Sequence, residues 1–103
     1  MSNFSNFNVE SQHFMKHMNI TVKGRVQGVG FRYSVLRAAK TYNIVGFVRN
    51  QVDGSVYIEA EAEEINLELF LGWCSKGPGI ARVDEIIQIE SGVRGFEDFR
   101  VVH

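Results

Sequence analysis

At 103 residues and 11.7 kDa the chain has room for one modest hydrophobic core and is too short for two ordinary domains. Hydrophobic residues at 45% and charged residues at 22% exclude a disordered or fibrous protein, and no apolar run approaches the roughly 20 residues that cross a bilayer. The net charge of -1 hides a strong polarity along the chain. No acidic residue occurs from Ser11 to Val52, where Lys16, Lys23, Arg25, Arg32, Arg37, Lys40 and Arg49 fall, whereas acidic residues dominate from Asp53 onward. Two arrangements fit this pattern: opposite charges paired across the fold, or an anion site assembled by the first half.

The opening MSNFSNFNVESQHFMKHMNI lacks the basic start and apolar stretch of an export signal. A lone Cys74 can form no internal disulfide, and together these features lead to the expectation of a cytoplasmic protein. Three scattered histidines and one cysteine offer no zinc-ligand spacing, so no metal is expected. Residues 1 to 15, rich in Asn, Ser and Phe without a clear period, are read as a mobile extension, and 16–103 as the domain.

Met18, Ile20, Val22, Gly24 and Val26 alternate with polar neighbours, the period of a strand with one buried face. His17 falls on the polar face and is expected in solvent. Glycines at 24, 28 and 30 mark a turn, after which Phe31, Val35, Ala38, Ala39 and Tyr42 recur at helical spacing over about Arg32 to Tyr42. Val45 to Gln51 reads as a strand, Asp53-Gly54 as a hairpin turn, and Val56, Ile58 and Ala60 as the returning strand. Glu63 and Glu64 open a second helix with Ile65, Leu69, Phe70 and Trp73 as its apolar stripe, stopped by Lys76, Gly77 and Pro78. Cys74 is read as a packing residue of that helix. Val83, Ile87 and Ile89 make a further strand, and Phe99 to Val102 a short last one. The order βαββαβ is that of an α+β, ferredoxin-like sandwich: an antiparallel sheet with two helices packed on one face, plus a short C-terminal strand.

Many functions share that arrangement, so the chemistry must come from a site. Gly24 to Arg32 lies between a strand and a helix start, where free backbone N–H groups, left-handed glycines and the helix N-terminus can wrap an anion. Arg32 can offer a planar bidentate fork to two phosphate oxygens. Spacing alone favours a purely structural turn, because glycine-rich turns are common. The segment matches neither the P-loop nor the dinucleotide fingerprint, and no cysteine stands five or six residues before Arg32. Asn50, three residues before Asp53-Gly54, reads by position alone as a turn residue bonding its own backbone.

VKGRVQGVGFR (Val22 to Arg32) followed by GFVRNQVDGSV (Gly46 to Val56) resembles the paired signature of the acylphosphatase family, and the similarity runs on through Gly77-Pro78 and Ala81 to Asp84 as far as Phe99. Two departures stand out: Ala62, where the second motif commonly ends in glycine, and Gln51, where a small hydroxyl residue is frequent. The resemblance implies an enzyme that hydrolyses the carboxyl-phosphate bond of acyl phosphates. By the same resemblance the backbone amides of Arg25, Val26, Gln27, Gly28, Val29 and Gly30 hold the phosphate, Arg32 clamps it, and Asn50 positions the attacking water. It implies no cofactor and a small-molecule substrate, with no nucleic-acid or membrane partner, and a monomer is expected.

Two rivals are a non-catalytic module like the N-terminal domain of hydrogenase-maturation carbamoyltransferases, and an RNA-binding sheet. The first occurs in much longer chains with zinc-finger cysteines; here nothing follows residue 103, so a free-standing enzyme is expected. The second calls for exposed aromatics on the sheet and an RNP1-like run, and no such run is present.

Overall fold

The computed structural model describes residues 14–103, so most of the extension read at 1–15 lies outside the described residues; Met15 already begins the first strand. The elements are β1 (Met15–Arg25), α1 (Phe31–Thr41), β2 (Val45–Asn50), β3 (Val56–Glu63), α2 (Glu64–Ser75), β4 (Arg82–Ser91) and β5 (Phe99–Val102). They form one sheet in the order β4-β1-β3-β2-β5. Every pairing is antiparallel except β2 with β5, which is parallel, so the short last strand makes the sheet mixed.

Alternation places Ile20 and Val22 of β1, Val48 of β2, and Val56, Ile58 and Ala60 of β3 on one face, all fully buried. Helix α1 lays Phe31, Val35, Ala38 and Ala39 on that face and ends where Asn43 turns left-handed (φ 57), with the Ile44 N–H donating to the Ala39 carbonyl at 2.8 Å. Helix α2 follows β3 without a loop and buries Leu67, Phe70 and Cys74. Phe31 and Trp73 stack at 6.3 Å, and Phe70 meets the edge of Phe99 at 6.4 Å, so one aromatic cluster joins α1, α2 and β5.

The expected stripe of α2 is displaced: Ile65 and Leu69 are exposed, while Leu67 and Cys74 are buried beside Phe70. The helix is apolar on nearly all sides, so periodicity cannot select a face; the direct run-in from β3 selects it. A second displacement lies in β4. Its register against β1 shifts between Lys23 and Gly24, so Val83 and Ile86 pack on the core and Ile87 and Ile89 are exposed. Gly24 permits that bulge, because a Cβ there would stand 2.1 Å from the Arg82 carbonyl oxygen.

His17 corrects the reading of a solvated polar face, for it is fully buried. Residues 92–98 return from β4 across the side of the sheet opposite the helices and cover it. Phe96 stacks on His17 at 5.9 Å. Beneath it, His17 Nδ1 lies 2.7 Å from Glu61 Oε2, and Nε2 lies 2.9 Å from Asn19 Oδ1 and 3.1 Å from Glu59 Oε1. The Glu61 carboxylate also accepts the backbone N–H groups of Arg94, Gly95 and Phe96, and Arg94 Nη1 donates to Glu59 at 2.8 Å.

Burial opposes ionisation of Glu61, but the Arg94 amide, His17 and the amides of Phe96 and Gly95 outweigh it and hold the carboxyl below its ordinary 4.5. Burial likewise opposes ionisation of Glu59, where the Tyr57 hydroxyl and Arg94 prevail. Both carboxylates therefore stabilise the fold fully above their ordinary range, and that stability is lost as pH falls through their lowered native values. Urea unfolding followed from pH 7 to pH 3 is expected to show a steepening loss below about pH 4.5. Glu61→Gln, which leaves His17 and the strap amides poorly matched, is expected to lower the unfolding free energy at pH 7 by about 2–3 kcal/mol and to flatten that acid dependence.

Candidate active site

The turn from β1 to α1 is fixed at both ends by side chains in the core. Val26 is 1% and Phe31 2% exposed, while Gly28 and Gly30 between them are exposed and left-handed, with φ of 74 and 76. Open space surrounds the position of a Cβ at either glycine, so the requirement there is conformational and not steric. Gly30 caps α1 without a side-chain hydrogen bond, and the Ser34 N–H is the first to return to it, at 3.1 Å. The N–H groups of the first turn thus receive no side-chain cap from Gly30.

Arg32 stands in that first turn. Its Nη1 donates to the Val102 carbonyl at 3.2 Å and to His103 Nδ1 at 3.3 Å, and among the described residues no hydrogen bond engages its other guanidinium nitrogens. Val102 in turn faces Arg49 across the β2–β5 pairing, and Asn50 is the next residue on β2. Asn50 has the same parity as the buried Val48, which puts it on the face that α1 covers, at the strand's open end. The fold thereby gathers Arg32, Asn50 and the loop from Arg25 to Gly30 at one end of the sheet.

The turn reading of Asn50 finds its hydrogen bonds made by other residues. The Gln51 N–H donates to the Ser55 carbonyl at 2.8 Å, the Gly54 N–H to the Gln51 carbonyl at 3.1 Å, and Asp53 Oδ1 accepts from both the amide and the hydroxyl of Ser55. Those bonds from Ser55 hold the Asp53 carboxyl below its usual range. Gln51 suits this hairpin, since its Nε2 donates to Ser55 Oγ at 2.9 Å. Cys74 is fully buried, and burial pushes its thiol up to about 12, far from a usable thiolate.

Among the described residues, Lys16 is the only one of the seven early lysines and arginines in an ion pair, with Glu64 at 3.2 Å. Lys23, Arg25 and Arg49 are exposed. Arg49 lies over the Tyr57 ring at 5.1 Å on the opposite face of the sheet, which keeps it out of the loop cluster. Among the described residues, ion pairing across the fold thus accounts for Lys16 alone of these seven early basic residues.

Three contacts at this end of the sheet escaped the sequence: Val102 and His103 against Arg32, and the Gln27 side chain, whose Nε2 donates to the carbonyls of Gln51 and Ser55 at 2.7 and 2.8 Å. They join residues 24 to 71 positions apart, beyond the reach of local periodicity.

A glycine-rich turn between a strand and a helix start, with an arginine in the first turn of that helix, thus stands at one end of an α+β domain. Comparison with known proteins gives it a family. The Acylphosphatase family model matches residues 18–101. A protein named acylphosphatase from Thermotoga petrophila is 46% identical over 87 residues, covering 84% of this chain and 97% of that one. The crystal structure of acylphosphatase from Bacillus subtilis superposes with a TM-score of 0.83 at 37% identity, over 87% of this chain and all of that one. Part of full-length HypF, in a crystal structure of its phosphate- and nucleotide-bound form, also superposes, with a TM-score of 0.79 at 34% identity over 87% of this chain but 12% of that one. This chain belongs to the acylphosphatase family, and its kinship over nearly the whole length of such relatives makes it a hydrolase of that kind.

Proposed function

We propose that the protein hydrolyses acyl phosphates by direct attack of water on phosphorus, with the phosphate held by the backbone amides of Arg25 to Gly30 and by Arg32, and the water oriented by Asn50. The observation that carries this reading is the convergence of that loop, the open start of α1, Arg32 and Asn50 at one end of the sheet. In the reaction the oxygen of water bonds to phosphorus as the bond from phosphorus to the acyl oxygen breaks. The acyl group departs as a carboxylate, and the proton of water passes to solvent or to the product phosphate.

The leaving carboxylate has a conjugate acid of pKa about 4, so it needs no general acid. Positioning and charge stabilisation carry the step. The transition state is loose and spreads charge over the equatorial oxygens, where amide donors already in place and a guanidinium are worth most. Asn50 accepts a hydrogen bond from water without taking its proton, as a neutral amide does in small GTPases. The same chemistry calls for no metal or cofactor. The contacts grip phosphate and ignore the acyl group, so broad acyl tolerance follows. A lone buried Cys74 fits a reducing, cytoplasmic setting. Among the described residues no helix is long and apolar enough to cross a membrane.

A titration of the 15N-labelled protein with inorganic phosphate, the reaction product, tests the site. The largest amide shifts are expected in Arg25 to Gly30 and the first turn of α1, and phosphate is expected to inhibit turnover competitively. Shifts centred elsewhere, or none, would remove the loop from the mechanism.

A further inference from the structure

We infer that the Gln27 side chain is a positioning residue, which fixes the anion loop in register with the strand that carries Asn50. The inference rests on the mechanism proposed above and gives Gln27 a role apart from its backbone amide. Its carboxamide reaches from the middle of the loop to the β2–β3 hairpin, where both hydrogens of Nε2 meet carbonyls, Gln51 at 2.7 Å and Ser55 at 2.8 Å. One of those carbonyls belongs to the residue next to Asn50. The other belongs to Ser55, which receives the Gln51 N–H and so closes the hairpin.

The link is useful because, among the described residues, it ties the loop itself to the hairpin beside Asn50, whereas the Arg32 bond to Val102 reaches only the neighbouring strand β5. Val26 and Phe31 hold the ends of the loop, but Gly28 and Gly30 make its middle pliable, and the phosphate must lie at a set distance from a water that Asn50 orients. A displacement of about 1 Å between nucleophile and phosphorus can cost as much as a hundredfold in rate. A two-donor amide bonded to two carbonyls resists both sliding and rotation, which a single hydrogen bond would not.

The test is a double-mutant cycle on benzoyl phosphate, using Gln27→Met, which keeps the shape and loses both donors, with Gln27→Ala as a second variant. Each is expected to lower kcat roughly tenfold while the inhibition constant of inorganic phosphate changes by less than about threefold. In the Asn50→Ala background the same substitutions are expected to cost almost nothing further, because the group they position is gone. Equal loss of kcat in both backgrounds, or parallel loss of kcat and phosphate binding, would overturn the positioning role. Gln27 variants that fail to fold would overturn it too, by making Gln27 a stability residue. Full activity of Asn50→Ala alone would instead remove the water-orienting role, and this inference with it.

Discussion

Arg32→Ala is expected to lower acyl phosphate hydrolysis by about a thousandfold or more while leaving the fold intact. The side chain is only half-buried, and its bonds run to the Val102 carbonyl and to His103. Removing it costs one or two hydrogen bonds near the surface, on the order of 1 kcal/mol. The catalytic loss has a different origin. In the proposed mechanism the guanidinium faces the oxygens of a loose, highly charged transition state, and water, which reorganises during the step, cannot replace it. Near-native thermal unfolding together with lost turnover is therefore the expected pair of results. Substantial activity in a folded Arg32→Ala protein would contradict the assignment of Arg32. The tie to Val102 adds a detail: β5 gives the arginine a fixed acceptor on Nη1, and the proposed mechanism assigns its other donors to phosphate.

Asn50→Ala is expected to reduce kcat by roughly a hundredfold with little change in the binding of inorganic phosphate. The substitution takes away the group proposed to orient water and leaves the loop, Arg32 and the helix start in place. The hairpin should tolerate it, because Gln51, Asp53 and Ser55 supply the turn's hydrogen bonds. A raised KM with unchanged kcat would make Asn50 a binding residue.

Much of this was legible in the residues, and the exceptions have physical causes. Strands β1 and β3 announce themselves because each alternates apolar residues, which face the helices, with polar ones, and α1 because Phe31, Val35, Ala38 and Ala39 share one stripe. The face of α2 was illegible because nearly all its sides are apolar, and Ile87 and Ile89 were misplaced because a bulge reverses the parity of β4. His17 was read as solvated since its cover, residues 92–98, has no period to read. The position of the anion loop and of Arg32 follows from glycines set between a strand and a helix. The role proposed for them and for Asn50 came from the resemblance of two separated motifs to a family; spacing alone favoured a structural turn for both. The Gln27 bridge and the seat of Arg32 on β5 depend on tertiary pairing that no local pattern encodes.

The buried polar cluster of His17, Glu59 and Glu61, with the exposed Arg94 at its edge, has a bearing on the site as well. It fastens the strap that leads into β5, and β5 supplies the carbonyl that seats Arg32. Acid that protonates the two carboxylates is thus expected to loosen the far side of the sheet in the same range in which the fold loses stability.

The rate of benzoyl phosphate hydrolysis by the unaltered protein in excess EDTA tests the central claim most directly. Turnover that is fast, indifferent to the chelator and competitively inhibited by inorganic phosphate is the predicted result. A folded protein that binds phosphate and leaves benzoyl phosphate unhydrolysed would contradict it, and would make the loop an anion-binding site without catalysis.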